Sequence, residues 1–145
     1  MCGCNLFCAV LPLASIDMRK KERSIIVPKE VYPKPSIREM SAAYILLEYF
    51  NENVKFIARD NNKTPDFLIG NRYWELKSPT GDGKYNLQHT LRNAAKQSEN
   101  IIIDARFSKM HINRLKNELS YQLKRSRNIK CLLLIDKQKN VVEIL

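Results

Sequence analysis

The chain has 145 residues, 44% of them hydrophobic and 28% charged, which suits one soluble domain with a core of its own. No apolar run approaches the roughly 18 residues of a spanning helix. The net charge is +10 at pH 7, and from Lys84 onward 13 Lys/Arg stand against 5 Asp/Glu. Such a basic surface either meets a polyanion (nucleic acid, an anionic membrane or an acidic protein) or is a solvated cationic face.

Residues 1–35 read as a weakly structured leader or linker. Cys2, Cys4 and Cys8 crowd its start, the cluster Arg19-Lys20-Lys21-Glu22-Arg23 follows, and Pro28, Pro33 and Pro35 disfavour a long helix. The cysteine spacing lacks the second ligand pair of a zinc ribbon, and Cys131 reads as a buried core thiol, a pattern that suits a reducing compartment. No secretory signal is expected, because no Lys or Arg precedes the apolar stretch and Pro12 interrupts it.

Residues 36–145 form the expected domain. Ser36 with Glu39 three residues on is a capping-box pattern, and the helix it opens runs to about Asn51. Glu39 falls on the edge of that helix's apolar arc while Glu48 points to solvent; capping alone also accounts for Glu39. Val54–Ala58 is a strand and Asp60–Lys63 a loop. Gly70-Asn71 lies between two apolar-rich runs, Asp66–Ile69 and Arg72–Lys77, which is a hairpin signal. A turn follows at Ser78–Gly83. Further on come a helix over Lys84–Ser98, a strand over Asn100–Ala105, a helix capped by Ser108, a strand over Asn128–Asp136 and a last strand over Val141–Leu145. This alternation implies an α/β fold, a mixed central sheet flanked by helices.

The hairpin carries the chemistry. A two-residue loop pairs Ile69 with Arg72, Leu68 with Tyr73, Phe67 with Trp74 and Asp66 with Glu75. Lys77, two residues past Glu75, returns to the same face. Opposed carboxylates repel, and a hard divalent ion beside a phosphate would offset that repulsion. In the alternative, Asp66 is a turn residue after Pro65, and Glu75 and Lys77 form a lateral ion pair on a solvated strand.

These residues resemble the PD-(D/E)xK nuclease superfamily: Pro65-Asp66, then Glu75-Leu76-Lys77, preceded by a helix bearing Glu39. The run from Pro65 to Ile69, with Trp74 to Gly81, Lys96-Gln97 and Ile101–Asp104, is similar to the C-terminal tRNase toxin domains of contact-dependent growth inhibition proteins. The resemblance covers about residues 36–145 and implies a restriction-endonuclease-like core. It implies that Asp66, Glu75 and the Leu76 carbonyl hold Mg²⁺ or Mn²⁺. Lys77 would act on water or the transition state, with Glu39 and Gln97 as further catalytic groups. It implies that Ser78, Thr80, Lys84, Arg92, Lys96, Lys124, Arg125 and Arg127 contact nucleic acid, with tRNA or other structured RNA ahead of DNA. An acidic immunity protein is the expected partner, and action in the cytoplasm after delivery as part of a larger exported protein is the expected setting. A DNA endonuclease and a non-catalytic basic adaptor are the competing functions. His89 and His111 read as surface histidines, and Asp104 as either a cleft residue or a loop cap.

Overall fold

The computed structural model describes residues 21–145, so Cys2, Cys4 and Cys8 lie outside the described residues. Among the described residues seven strands form one mixed sheet whose spatial order follows the sequence: β1 (Ile25–Ile26), β2 (Val54–Phe56), β3 (Phe67–Ile69), β4 (Arg72–Lys77), β5 (Asn100–Asp104), β6 (Cys131–Ile135) and β7 (Val141–Glu143). β2, β3 and β4 run antiparallel, β4, β5 and β6 run parallel, and β7 returns antiparallel. The α/β expectation holds.

Three helices of the described residues close the two faces. α1 (Ile37–Phe50) covers one of them, and α2 (Lys84–Ala94) and α3 (Ile112–Lys124) cover the other. The period of two along β5 sorts the core: Ile102 joins Ala43, Leu46 and Trp74 beneath α1, whereas Ile101 and Ile103 join Leu87, Leu91, Leu115 and Leu119 beneath α2 and α3. β5 and β6 are buried along their whole length, as their continuous apolar runs require. Among the described residues no helix is long and apolar enough to cross a membrane.

Local chemistry sets the element ends. Ser36 accepts from the Glu39 N–H while Glu39 accepts from the Ser36 N–H, so the capping box is formed, and Asn51 ends α1 in the left-handed region. Gly70 turns the hairpin at φ +58°, a value that a side chain resists. The register matches the expected one for Phe67–Trp74, Leu68–Tyr73 and Ile69–Arg72.

Four expectations need correction. Ile25–Ile26, within the expected leader, adds a parallel strand to β2, and Val31 is buried in the core, because the prolines break a helix without preventing an extended edge. α3 begins at Ile112 and is capped by the His111 imidazole, which accepts from the Asn113 N–H; Ser108 instead is buried and donates to the Gly81 carbonyl. α2 stops at Ala94, leaving Lys96 and Gln97 in the turn that follows. Cys131 is buried as expected but is disulfide-bonded rather than a free thiol.

Asp104 is a structural anchor. It is fully buried and holds Arg106 through two bonds, 2.7 Å to Nη2 and 2.8 Å to Nε. Arg106 also donates to Ser41 Oγ at 2.6 Å and to the Arg38 carbonyl at 3.3 Å, tying the end of β5 to α1. Removing one member of a buried pair strands the other charge, so Asp104→Ala should destabilise the fold by about 3–5 kcal/mol. Urea denaturation checks this; a loss below about 1 kcal/mol, the range of surface pairs, would contradict a buried anchor.

Candidate active site

The site forms where β4 leaves the cover of α2. Trp74 and Leu76 face the core beneath α1, so Glu75 and Lys77 face the opposite side, beside Ile101 and Ile103 of β5. Asp66 does not complete the ladder as expected. Its N–H donates to the Trp74 carbonyl at 3.1 Å, one residue out of register, and its carboxylate Oδ2 accepts from the Leu76 N–H at 2.9 Å. That slip carries the Asp66 carboxylate across the end of β3 to the vicinity of Glu75. The two acids still converge.

Glu75 is only 2% exposed. Its Oε1 accepts from the Lys77 ammonium, whereas its Oε2 is buried and has no hydrogen-bond partner among the described residues. Lys77 Nζ also donates to Gln97 Oε1 at 3.0 Å, and Gln97 Nε2 donates to the Asn62 carbonyl at 2.8 Å. Gln97 therefore belongs to the site although it sits beyond the end of α2. Glu39 reaches it through Arg59, which lies 3.4 Å from Asp66 Oδ1 and 3.8 Å from Glu39 Oε1.

Arg59 and Asn62 are the residues that sequence reasoning missed. Both fall between β2 and β3, in a segment without periodicity, and only the proximity of that loop to Asp66 in the hairpin gave a clue. Arg38 was missed as well; with Ser36, Glu39, Arg59, Asp66, Leu76, Lys77 and Ser78 it lines an opening of about 310 Å³ at the acidic pair.

The expected phosphate contacts fall into separate places. Ser78 and Thr80 line a shallow opening with Lys77, Asn86 and His89, beside the acids. Arg92, Lys96, Arg125 and Arg127 line a groove of about 770 Å³ between the ends of α2 and α3, with no carboxylate among its lining residues. Lys84 stands at the start of α2 near Tyr85, and Lys124 in the last turn of α3.

The residues suit a hard divalent ion, tested on the donor set. Among the described residues no three His, Cys, Asp or Glu side chains gather as a metal cluster. Two carboxylates do converge, one with an orphaned oxygen, and magnesium commonly takes one or two protein carboxylates plus phosphate and water. Asp66, Glu75 and Leu76 fit that sparse arrangement.

With this geometry established, similarity to known proteins adds the family. The profile of the family described as the contact-dependent growth inhibition CdiA C-terminal domain matches residues 63–141. The chain belongs to that family. A solved structure described as a CdiA-CT/CdiI toxin and immunity complex from Burkholderia pseudomallei shares the fold, with a TM-score of 0.63 at 19% identity, over 83% of this chain and 97% of that one. A comparison with curated proteins gave no match.

The electrostatics of Glu75 give a pH signature. Burial raises its pKa from 4.5 to about 7, the Asp66 charge adds to the rise, and Lys77 opposes both. Between these two values the fold keeps a proton that the unfolded chain has lost. Stability from this group is therefore greatest below 4.5 and declines as pH rises to about 7, by roughly 3 kcal/mol in all. In EDTA, Glu75→Gln stays neutral and escapes that decline, so it should gain stability relative to the parent between about pH 5 and pH 8. Thermal melts at the two ends check it; a constant gap between the two proteins would contradict the assignment.

Proposed function

We propose that the chain is a metal-dependent nuclease of the PD-(D/E)xK kind, hydrolysing phosphodiester bonds in tRNA or other structured RNA as the toxin of a contact-dependent growth inhibition system. The observation that carries this reading is the buried Glu75, with one oxygen unsatisfied, meeting Asp66 and Lys77 at the edge of a cationic surface. A structural role alone leaves no reason to bury a carboxylate next to another.

Asp66 and Glu75, with the Leu76 carbonyl, would hold Mg²⁺ or Mn²⁺. When bound, such an ion polarises the scissile phosphate and lowers the pKa of a water. Lys77, held between Glu75 and Gln97, would stabilise the charge that builds up on the transferring phosphoryl group. Gln97, anchored on the Asn62 carbonyl, orients Lys77 and is within reach of a water or the substrate. Glu39 balances Arg59 at the far side of the opening. Ser78 and Thr80 offer hydroxyls to the backbone beside the scissile bond. The groove of Arg92, Lys96, Arg125 and Arg127, with Lys84 and Lys124 on the same helices, tracks phosphates further along the strand.

The solved relative is described as a toxin and immunity complex. An immunity protein for this chain would be acidic, because a net charge of +10 speeds association with a negative partner and disfavours a positive one. As a CdiA C-terminal domain, the chain would reach its target cell as part of a larger exported protein and act in the cytoplasm.

Purified protein incubated with total tRNA and with plasmid DNA, each with Mg²⁺ and with EDTA, tests the reading. Cleavage of tRNA in Mg²⁺ and none in EDTA is expected. Glu75→Ala should abolish it, and Lys77→Ala should slow it by about 10²–10³-fold. Plasmid cleavage without tRNA cleavage would make the chain a DNA endonuclease instead; inert protein that still binds RNA would make it an adaptor.

Metal binding should also be visible without catalysis. Mg²⁺ at about a hundred times its dissociation constant would stabilise the folded protein by about 2.7 kcal/mol. The Asp66→Asn, Glu75→Gln double variant should lose that gain in a thermal shift measured against Ca²⁺-free, EDTA-treated buffer. Equal stabilisation of parent and variant would place the ion elsewhere.

A further inference from the structure

Among the described residues three cations line the opening at the acidic pair, and two of them are engaged. Lys77 is bonded to Glu75 and Gln97, and Arg59 lies against Asp66 and Glu39. Arg38 differs. It lines the same opening as Asp66, Leu76, Lys77 and Ser78, yet among the described residues its side chain forms no ion pair.

One contact of its side chain is with an aromatic ring. The Arg38 guanidinium lies 4.1 Å from the centre of the Phe107 ring. Phe107 follows Arg106, whose own guanidinium is locked by the buried Asp104 and by Ser41. The Arg106 guanidinium lies 5.2 Å from the same ring and donates to the Arg38 carbonyl, so the ion pair, the ring and Arg38 are in contact with one another. A guanidinium resting on an aromatic surface keeps its donor edges free, and those edges match the spacing of two phosphate oxygens.

Helix energetics do not account for an arginine here. Arg38 occupies the first turn of α1, where the helix dipole favours negative groups and disfavours a cation. Glu39, its neighbour, follows that rule; Arg38 opposes it.

We propose that Arg38 binds a non-bridging phosphate oxygen of the nucleic-acid strand next to the scissile phosphate, with Phe107 as its positioning residue. This rests on the nuclease reading, and it assigns to the α1 end of the opening the phosphate contact that Arg59 and Lys77, already engaged, leave unfilled.

The test measures tRNA binding by fluorescence anisotropy over a salt series in EDTA, in the Glu75→Ala protein with and without Arg38→Gln or Arg38→Lys. Steady-state cleavage in Mg²⁺ is measured in parallel with Glu75 intact. Arg38→Gln should weaken binding roughly tenfold at low salt and flatten the salt slope by about 1, as expected for one lost phosphate contact. Arg38→Lys should restore the slope and only part of the affinity, since an ammonium lacks the fork. Phe107→Leu should raise KM more than it lowers kcat. An unchanged slope and KM in Arg38→Gln, with thermal stability equal to the parent, would overturn the proposal. Failure of the nuclease reading looks different: the parent would cleave neither tRNA nor plasmid in Mg²⁺, whatever the binding series shows.

Discussion

A carboxylate buried beside a second carboxylate is the constraint that organises this molecule. Glu75 occupies the middle of β4, hydrogen-bonded to the Lys77 ammonium on one oxygen and, among the described residues, to nothing on the other. Burial and the Asp66 charge together hold its pKa near 7, so at neutral pH the group stands between its charged and neutral forms. An apolar residue at this position would pack against Ile101 and Ile103 without that penalty. Proteins retain such local conflict where function requires it, and the surrounding fold supplies the stability that the site withholds.

The fold explains why the conflict is tolerated at this place. β5 and β6 are sealed between α1 on one face and α2 with α3 on the other, and their apolar side chains supply two continuous cores. β4 lies at the margin of that cover, where β3 and the loop before it bring Asp66, Arg59 and Asn62 alongside. The margin admits side chains from every layer: Arg38 and Glu39 from α1, Lys77 from the sheet, Gln97 from the turn after α2. The family match over residues 63–141 contains the acidic pair, Lys77 and Gln97. Arg38, Glu39 and Arg59 lie ahead of it, so the opening joins a part shared with that profile to a part outside it.

How far the sequence disclosed this varies with the kind of signal. The hairpin was legible because Gly70-Asn71 permits few turns, and a period of two then assigns each side chain to a face. The capping box at Ser36 and Glu39 was legible because its two bonds are local. The slip that displaces Asp66 from the ladder was not, since it depends on where the chain enters β3 from a loop. Gln97 was recovered through family resemblance while its element was misjudged: the apolar period of α2 gives no sign that the last turn unwinds. Arg59 and Arg38 were invisible for one reason. Arg59 meets Asp66 from a loop without periodicity and Arg38 meets Phe107 across the fold, and neither pairing leaves a periodic mark. The same holds for Asp104, whose structural role depends on Arg106 reaching back to Ser41 of α1.

The central claim is that the Asp66 and Glu75 carboxylates form a seat for one hard divalent cation. Diffraction from crystals soaked in Mn²⁺, with data at the manganese absorption edge, addresses it without reference to substrate or rate. The account predicts a single strong anomalous peak between the two carboxylates and next to the Leu76 carbonyl, absent from crystals of the Glu75→Gln protein. A map with no peak there, or with its manganese bound at another set of residues, would contradict it.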